Sequence, residues 1–322
     1  MPIRALLAFL APALLAAAPT AVLVRDTGGS HTEGQTQLSS LKLTVDGKTT
    51  DIKLASILSI HNAAAPSDVE SNRITAGIAA ILGTDRPARD AAVEELTSIG
   101  LPVLTPLLKA YKDTDQHEPR PLYRLFERII PSYADGPDRS LSLVRLKNGT
   151  ALRGVIADGE VSLTANGKTE TMPWSKIRTL AVRQAAVKRS MQVHSLRHCA
   201  QIEYLDTAVR LTASSKIESA ARGFVRLSWE TDSWASDASG LTKPGSPAYK
   251  SHLFEGQPFG ALIGRVGAGG EVFFLGKQGS KSGAGAGRLM LAINDNKHWQ
   301  NNIGTFYVTM TVTDAYDLGD AQ

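Results

Sequence analysis

The sequence holds a single cysteine, Cys199, among 322 residues. No internal disulfide can form, so every core must be held by packing and hydrogen bonds. The lone thiol has two open fates, pairing with another chain or burial as a small hydrophobe. Hydrolase signatures are missing too: there is no HExxH and no GxSxG, and no Cys-His arrangement marks a nucleophile beside its base. A glycosidase needs two facing carboxylates, and the sequence singles out no pair, Asp206 and Glu230 included. The chain therefore reads as non-enzymatic. Dense positive charge is also lacking. The net charge of +4 is spread along the chain, and the most basic stretch is only Lys188, Arg189 and Arg197. That excludes a nucleic-acid footprint. The glycine runs VGAGG (Val266 to Gly270) and GAGAG (Gly283 to Gly287) lack the Lys-Ser/Thr ending of a phosphate loop and open no helix. Both read as turns between strands.

What is present begins with MPIRALLAFLAPALLAAAPTA, in which Arg4 precedes an apolar run and small residues close it. This is the pattern of a secretory signal over residues 1–21, cleaved near Ala18 to Ala21. The expected location is secreted or periplasmic. The alternative is an N-terminal membrane anchor, since Ala5 to Val24 approaches the roughly 20 apolar residues that span a bilayer.

Sliding the chain by 120 residues aligns LVRDTGGS at Leu23 with LVRLKNGT at Leu143, and LTVDGKTTDIKLASILSI at Leu43 with LTANGKTETMPWSKIRTL at Leu163. Two copies of one unit follow, residues 22–62 and 140–184. In the second copy short β-branched segments are separated by Asn148-Gly149, Asp158-Gly159 and Asn166-Gly167, each a two-residue hairpin signal. A short WSKI turn precedes the last strand. That layout is a five-stranded barrel of SH3 or Sm-like type; the first copy shares it but lacks the middle turn.

Between the copies, residues 66–135 are helical in period. Ile74, Ile78, Ile81 and Leu82 form one apolar face that Gly83 ends, and Thr84 or Asp85 with Pro87 starts a second helix bearing Ala92, Leu96 and Ile99. RDAAVEELTSIGLPVLTPLLKAY resembles a HEAT-type helical pair with a Gly-Leu-Pro turn. One such pair cannot bury its own face, so it is expected to pack on the β units.

From about residue 200 to 318 the texture is short strands with Gly, Ser and Asn turns, read as a β-sandwich. The whole is thus mainly β and multidomain. His194 and His198 stand four apart beside Cys199, a spacing that on a helix would suit zinc, but AVKRSMQVHSLRHC reads as a linker or as the first sandwich strand. His31, His61 and His117 are assigned to turns. Trp229 or Trp234 could face a sugar ring or sit buried in the sandwich.

The block GALIGRVGAGGEVFFLGKQGS, GAGAGRLMLAINDN and NNIGTFYVTM, between Gly260 and Met310, with Trp234-Ala235-Ser236 upstream, resembles the LecA-like family of calcium-dependent galactophilic bacterial lectins. The likeness covers about a third of the chain and implies a jelly-roll or galactose-binding-like sandwich. It also implies calcium held by Asp295, Asn301, Asn302 and the Asp237 carbonyl, with saccharide completing the shell. His252 and Trp299 are the further sugar contacts it suggests. The residues support such a site on their own terms, because calcium takes six to eight oxygens from carboxylates, amides, carbonyls and water. Five Asn or Asp side chains fall between Asn294 and Asn302. The competing reading is that they form Asx-turns tying a hairpin.

Two functions of different class follow. In one, the exported protein binds a saccharide or polysaccharide through calcium. In the other, it is a structural or interaction protein whose partners are envelope or extracellular proteins, and any calcium only stiffens a loop.

Overall fold

The computed structural model describes residues 18–113, 122, 125, 129, 141–157, 159–200, 203–228, 234–241, 254, 257–295 and 301–319. The protein is mainly β, its named strands pair antiparallel, and three α-helices have their bounds among the described residues. The first copy supplies β1 (Thr20–Asp26), β2 (His31–Thr36), β3 (Ser40–Val45), β4 (Lys48–Lys53) and β5 (Ile57–His61). The second supplies β6 (Ser142–Leu146), β7 (Ala151–Ile156), β8 (Glu160–Ala165), β9 (Lys168–Pro173) and β10 (Ile177–His194). A 3-10 turn precedes the last strand in each, at Leu54–Ser56 and Trp174–Lys176.

Equivalent residues behave alike in the two copies. Asp46 and Asn166 take positive φ (48° and 51°), each followed by a left-handed glycine, Gly47 and Gly167. Two positive-φ residues are what a type I′ hairpin turn requires. Above these turns the Thr44 and Thr49 hydroxyls meet at 2.9 Å and those of Thr164 and Thr169 at 2.8 Å.

The copies do not form sheets of their own. The row of paired strands runs β4-β3-β7-β6-β5-β10-β1-β2-β8-β9. Replacing every strand by its counterpart in the other copy turns this row into its own reverse. β2 is thus captured by β8 rather than by β3, and β7 by β3 rather than by β8. Asp158 of the Asp158-Gly159 signal lies outside the described residues, and the strands on either side of it, β7 and β8, do not pair with each other among the described residues. A turn fixes only that the chain comes back; two copies with one pattern offer each strand the same edge twice, which is the logic of strand exchange between protomers. Glycine makes the crossing possible. A Cβ on Gly34 would stand 2.7 Å from the Thr164 carbonyl oxygen, and one on Gly154 2.4 Å from that of Thr44. One core serves both copies, with Val22, Leu43, Ile57, Val144, Leu163, Trp174 and Leu180 in one cluster.

The helices are α1 (Asp68–Leu82), α2 (Arg86–Ile99) and α3 (Leu104–Asp113). The Ser67 hydroxyl accepts from the Glu70 N–H and caps α1; Pro87 lies in the first turn of α2, and Gly100 ends α2 at φ 75°. Ile74, Ile78 and Ile81 are buried against Ala92, Leu96 and Ile99 as the periodicity predicts, whereas Leu82 is exposed at the end of α1. The segment docks on the strands through ionic groups. Glu70, fully buried, takes Arg178 through both oxygens at 3.1 and 2.5 Å. Arg25 binds Glu95 at 2.8 Å.

β10 passes through the boundary expected at residue 184. Its first half pairs with β1 and β5, and Arg183 to His194 pair with the last strand of the chain, so this stretch is a strand rather than a linker. The remaining strands are β11 (Leu205–Arg226), β12 (Ala235–Ser236), β13 (Leu262–Val266), β14 (Val272–Phe274), β15 (Gln278–Ser282), β16 (Gly287–Ile293) and β17 (Ile303–Asp317). β17 lies between β10 and β11, and β11 continues to β12, β15 and β16; β13 joins β16 to β14. Val193, Val209, Phe259, Leu291, Phe306 and Val312 belong to their common core.

Candidate functional site

The oxygen-rich stretch links β16 to β17. These strands both pair with β11 and no described residue pair joins them; residues 296–300 lie outside the described residues. Residues that follow the end of a ladder must find other partners for their polar groups. Asn294 supplies part of the answer. Its backbone exchanges hydrogen bonds with Ala261 and Gly260, and its side-chain amide donates to the Gln257 carbonyl at 3.0 Å and, less closely, to those of Pro258 and Phe254.

Asp295 follows and is 1 % exposed; Asn302, just before β17, is 2 % exposed. The Asn302 amide donates to the Asp295 carboxylate and to the Ser195 carbonyl at 3.2 Å. Asn302 Oδ1 is buried with no hydrogen-bond partner. The turn after β10 completes the surroundings: the Ala200 N–H donates to the Ile293 carbonyl, and this brings the buried Cys199 thiol to 3.8 Å from Asp295 Oδ2. Asn301 is partly buried beside them.

Asp237 is placed differently. Its side chain is exposed, and its carbonyl already accepts from the Ser236 hydroxyl at 2.7 Å and the Gly240 N–H at 3.0 Å. Its carboxylate accepts from the Ser239 N–H, making an Asx-turn. A carbonyl oxygen has two lone pairs, so this one is fully used. Of the sequence-predicted set, Asp295 and Asn302 are brought into contact. Trp299 and His252 lie outside the described residues, as do His117, Trp229 and Glu230. Sequence reasoning missed Cys199 as a neighbour of Asp295 and Ser195 as a neighbour of Asn302, since about 100 residues separate each pair and only the pairing of Cys199 with Ile293 brings them together.

The other candidates resolve as follows. Among the described residues no group of three His, Cys, Asp or Glu is placed to hold a metal. His194 closes a strand rather than lying on a helix; its Nδ1 meets the Thr305 hydroxyl at 2.8 Å and its N–H donates to His198 Nδ1. Burial, then Arg197, lowers its pKa. His31 opens β2 and His61 closes β5, so neither is in a turn. Asp206 is held by Arg288 at 2.7 Å. Trp234 packs edge-on against Phe259 at 6.2 Å. Both glycine runs fall between strands.

No family model and no curated protein matches the chain. Among solved structures the chain is similar to one titled "EclA N-terminal domain; PllA-like lectin", at 24% identity, over 39% of this chain and 96% of that chain, with a TM-score of 0.30.

Proposed function

We propose that this is an exported carbohydrate-binding protein whose C-terminal unit, a LecA-like sandwich, holds saccharide through calcium. The observation that carries the reading is the buried contact between the Asp295 carboxylate and the Asn302 amide, with Asn302 Oδ1 left over. A buried amide oxygen without a donor costs roughly 1–3 kcal/mol, and a hard cation is one way to recover it. Asp295 would bring the charge and Asn301 and Asn302 the neutral oxygens. Calcium there would offer open coordination positions to two neighbouring sugar hydroxyls. The donor set fits in these residues. The Asp237 carbonyl, already doubly engaged, does not belong to it.

The second reading is an envelope interaction protein in which the same side chains only clamp loops. It draws on Asn294 and on the bond from Asn302 to Ser195, neither of which involves a metal.

The deciding experiment is thermal unfolding of the full chain against calcium, in the wild type, Asp295→Asn and Asn302→Ala, followed by retention on galactose and on mixed polysaccharides with and without EDTA. Calcium at one hundred times its dissociation constant stabilises a fold by about 2.7 kcal/mol. A shift that both variants abolish, with EDTA-sensitive glycan retention, is the expected result. No shift at millimolar calcium would leave a loop tied by its own side chains and remove the lectin reading.

A further inference from the structure

Where the two β units and the helical segment meet there is a cavity of about 280 Å³. It is lined from three directions: Arg25 and His31 of the interleaved copies, Glu94 and Glu95 of α2, and Arg210 and Arg288 of the C-terminal strands. The two carboxylates are already engaged, Glu95 by Arg25 and Arg73 and Glu94 by the Ala268 N–H at 2.7 Å. Arg288 holds Asp206 through Nη2. Arg210 Nε is buried with no hydrogen-bond partner among the described residues; burial lowers its pKa, and the Glu33 and Glu94 carboxylates act in the opposite sense.

The lining holds three arginines against two carboxylates. The Nε atoms of Arg25, Arg210 and Arg288 are all buried without an acceptor, and Arg25 Nη1 reaches only a 3.7 Å ion pair with Glu70. Arg25 itself is 1 % exposed. Buried guanidinium donors in a native fold are ordinarily paired. His31 senses the same field: burial, then Arg210, Arg25 and Arg288, bring its pKa down to about 4, so it adds no charge at neutral pH. The volume is ample, since an apolar cavity of about 150 Å³ already takes a benzene ring.

We propose that this cavity binds a small oxyanion, a phosphate or carboxylate group, on Arg210 with Arg25 and Arg288 around it. A planar guanidinium matches both groups through paired N–H···O bonds. The ligand would touch all three parts of the protein at once and fasten them together. This site is independent of calcium and lies on other residues.

The test uses the full chain in chloride buffer, with thermal unfolding and calorimetric titration against inorganic phosphate, acetate and citrate at matched ionic strength. The unfolding temperature should rise with one probe class beyond the chloride control. Arg210→Gln, which breaks no observed bond, should weaken that response about tenfold or more, as loss of a charge-assisted pair does. Ala91→Leu, which fills the space from α2, should remove the response without touching an arginine, and Asp295→Asn should leave it intact. A response to phosphate alone names phosphate as the ligand group, and one to acetate or citrate alone names carboxylate. The proposal is overturned if no probe exceeds chloride, or if Arg210→Gln responds like the wild type.

Discussion

At the scale of single residues, buried charge decides more than any motif does. Glu70 has no exposure and holds Arg178, which is 1 % exposed, through two oxygens, while Arg178 Nη1 also donates to the Asn62 and Ala64 carbonyls. Glu70→Gln leaves that guanidinium short of its counter-charge. The expected loss is about 3–5 kcal/mol, read as a lower urea midpoint at unchanged slope. Asp314 shows the pH-dependent side of the same physics. It takes positive φ (59°), and Arg183, then Ser214, bring its carboxyl from 3.8 down to about 2. A depressed folded-state pKa means stability fully present above pH 3.8 and lost as pH falls through 2. Being about a third exposed, the pair is worth only about 1 kcal/mol. Asp314→Asn, which tolerates the left-handed backbone, should therefore lose that much at pH 7 and match the wild type near pH 2 in denaturant titrations. The sequence revealed neither pair, because Glu70 and Arg178 are 108 residues apart and nothing in spacing joins them. Asp295 and Asn302 stand within one short stretch, so their nearness to each other was legible, whereas their contacts with Cys199 and Ser195 were not.

At the scale of elements, the period-120 repeat was legible down to its turns, and the helical faces were legible apart from Leu82. Strand partnership was not. Alternation states which side of a strand is buried, and both copies present the same alternation, so pattern alone cannot say whose β3 a given β2 will meet. The distinguishing residues are the equivalent glycines Gly34 and Gly154, each lying against a carbonyl of the other copy. Gly34→Val and Gly154→Val should each destabilise by about 1–3 kcal/mol through overpacking. Because the two crossings are related by the repeat, the two costs should be similar, measured as unfolding free energies in urea. A strand exposed at its own turn would behave otherwise: Gly47, with nothing near a would-be Cβ, feels only backbone strain at φ 77°. For Gly47→Asn, which also accepts that conformation, the expected change is within about 0.5 kcal/mol.

At the scale of the whole molecule, β10 joins what the sequence divides. Arg183 to His194 form the register partner of β17 from Tyr316 to Thr305, while Thr179 to Val182 pair with β1 and β5. The composition change that suggested a new unit at residue 200 follows the surface texture of the chain, whereas the hydrogen-bonded edge begins on the other side of it. A fragment of residues 200–318 would expose one edge of β17 and would lack Val187, Met191 and Val193, uncovering Phe306, Val308 and Met310, with which they share a core. An unpaired edge of that length is a template for association. That fragment is expected to aggregate or to remain partly unfolded in circular dichroism and sedimentation, and a fragment of residues 177–319 to fold. The same continuity should make the full chain unfold in one transition when followed by tryptophan fluorescence and by far-ultraviolet signal, since strain in either core is carried by a single strand and by the Arg265–Asp90 and Ala268–Glu94 contacts that brace α2 against the C-terminal strands. Two separated transitions would mean that β10 breaks between Val182 and Arg183 before either core melts.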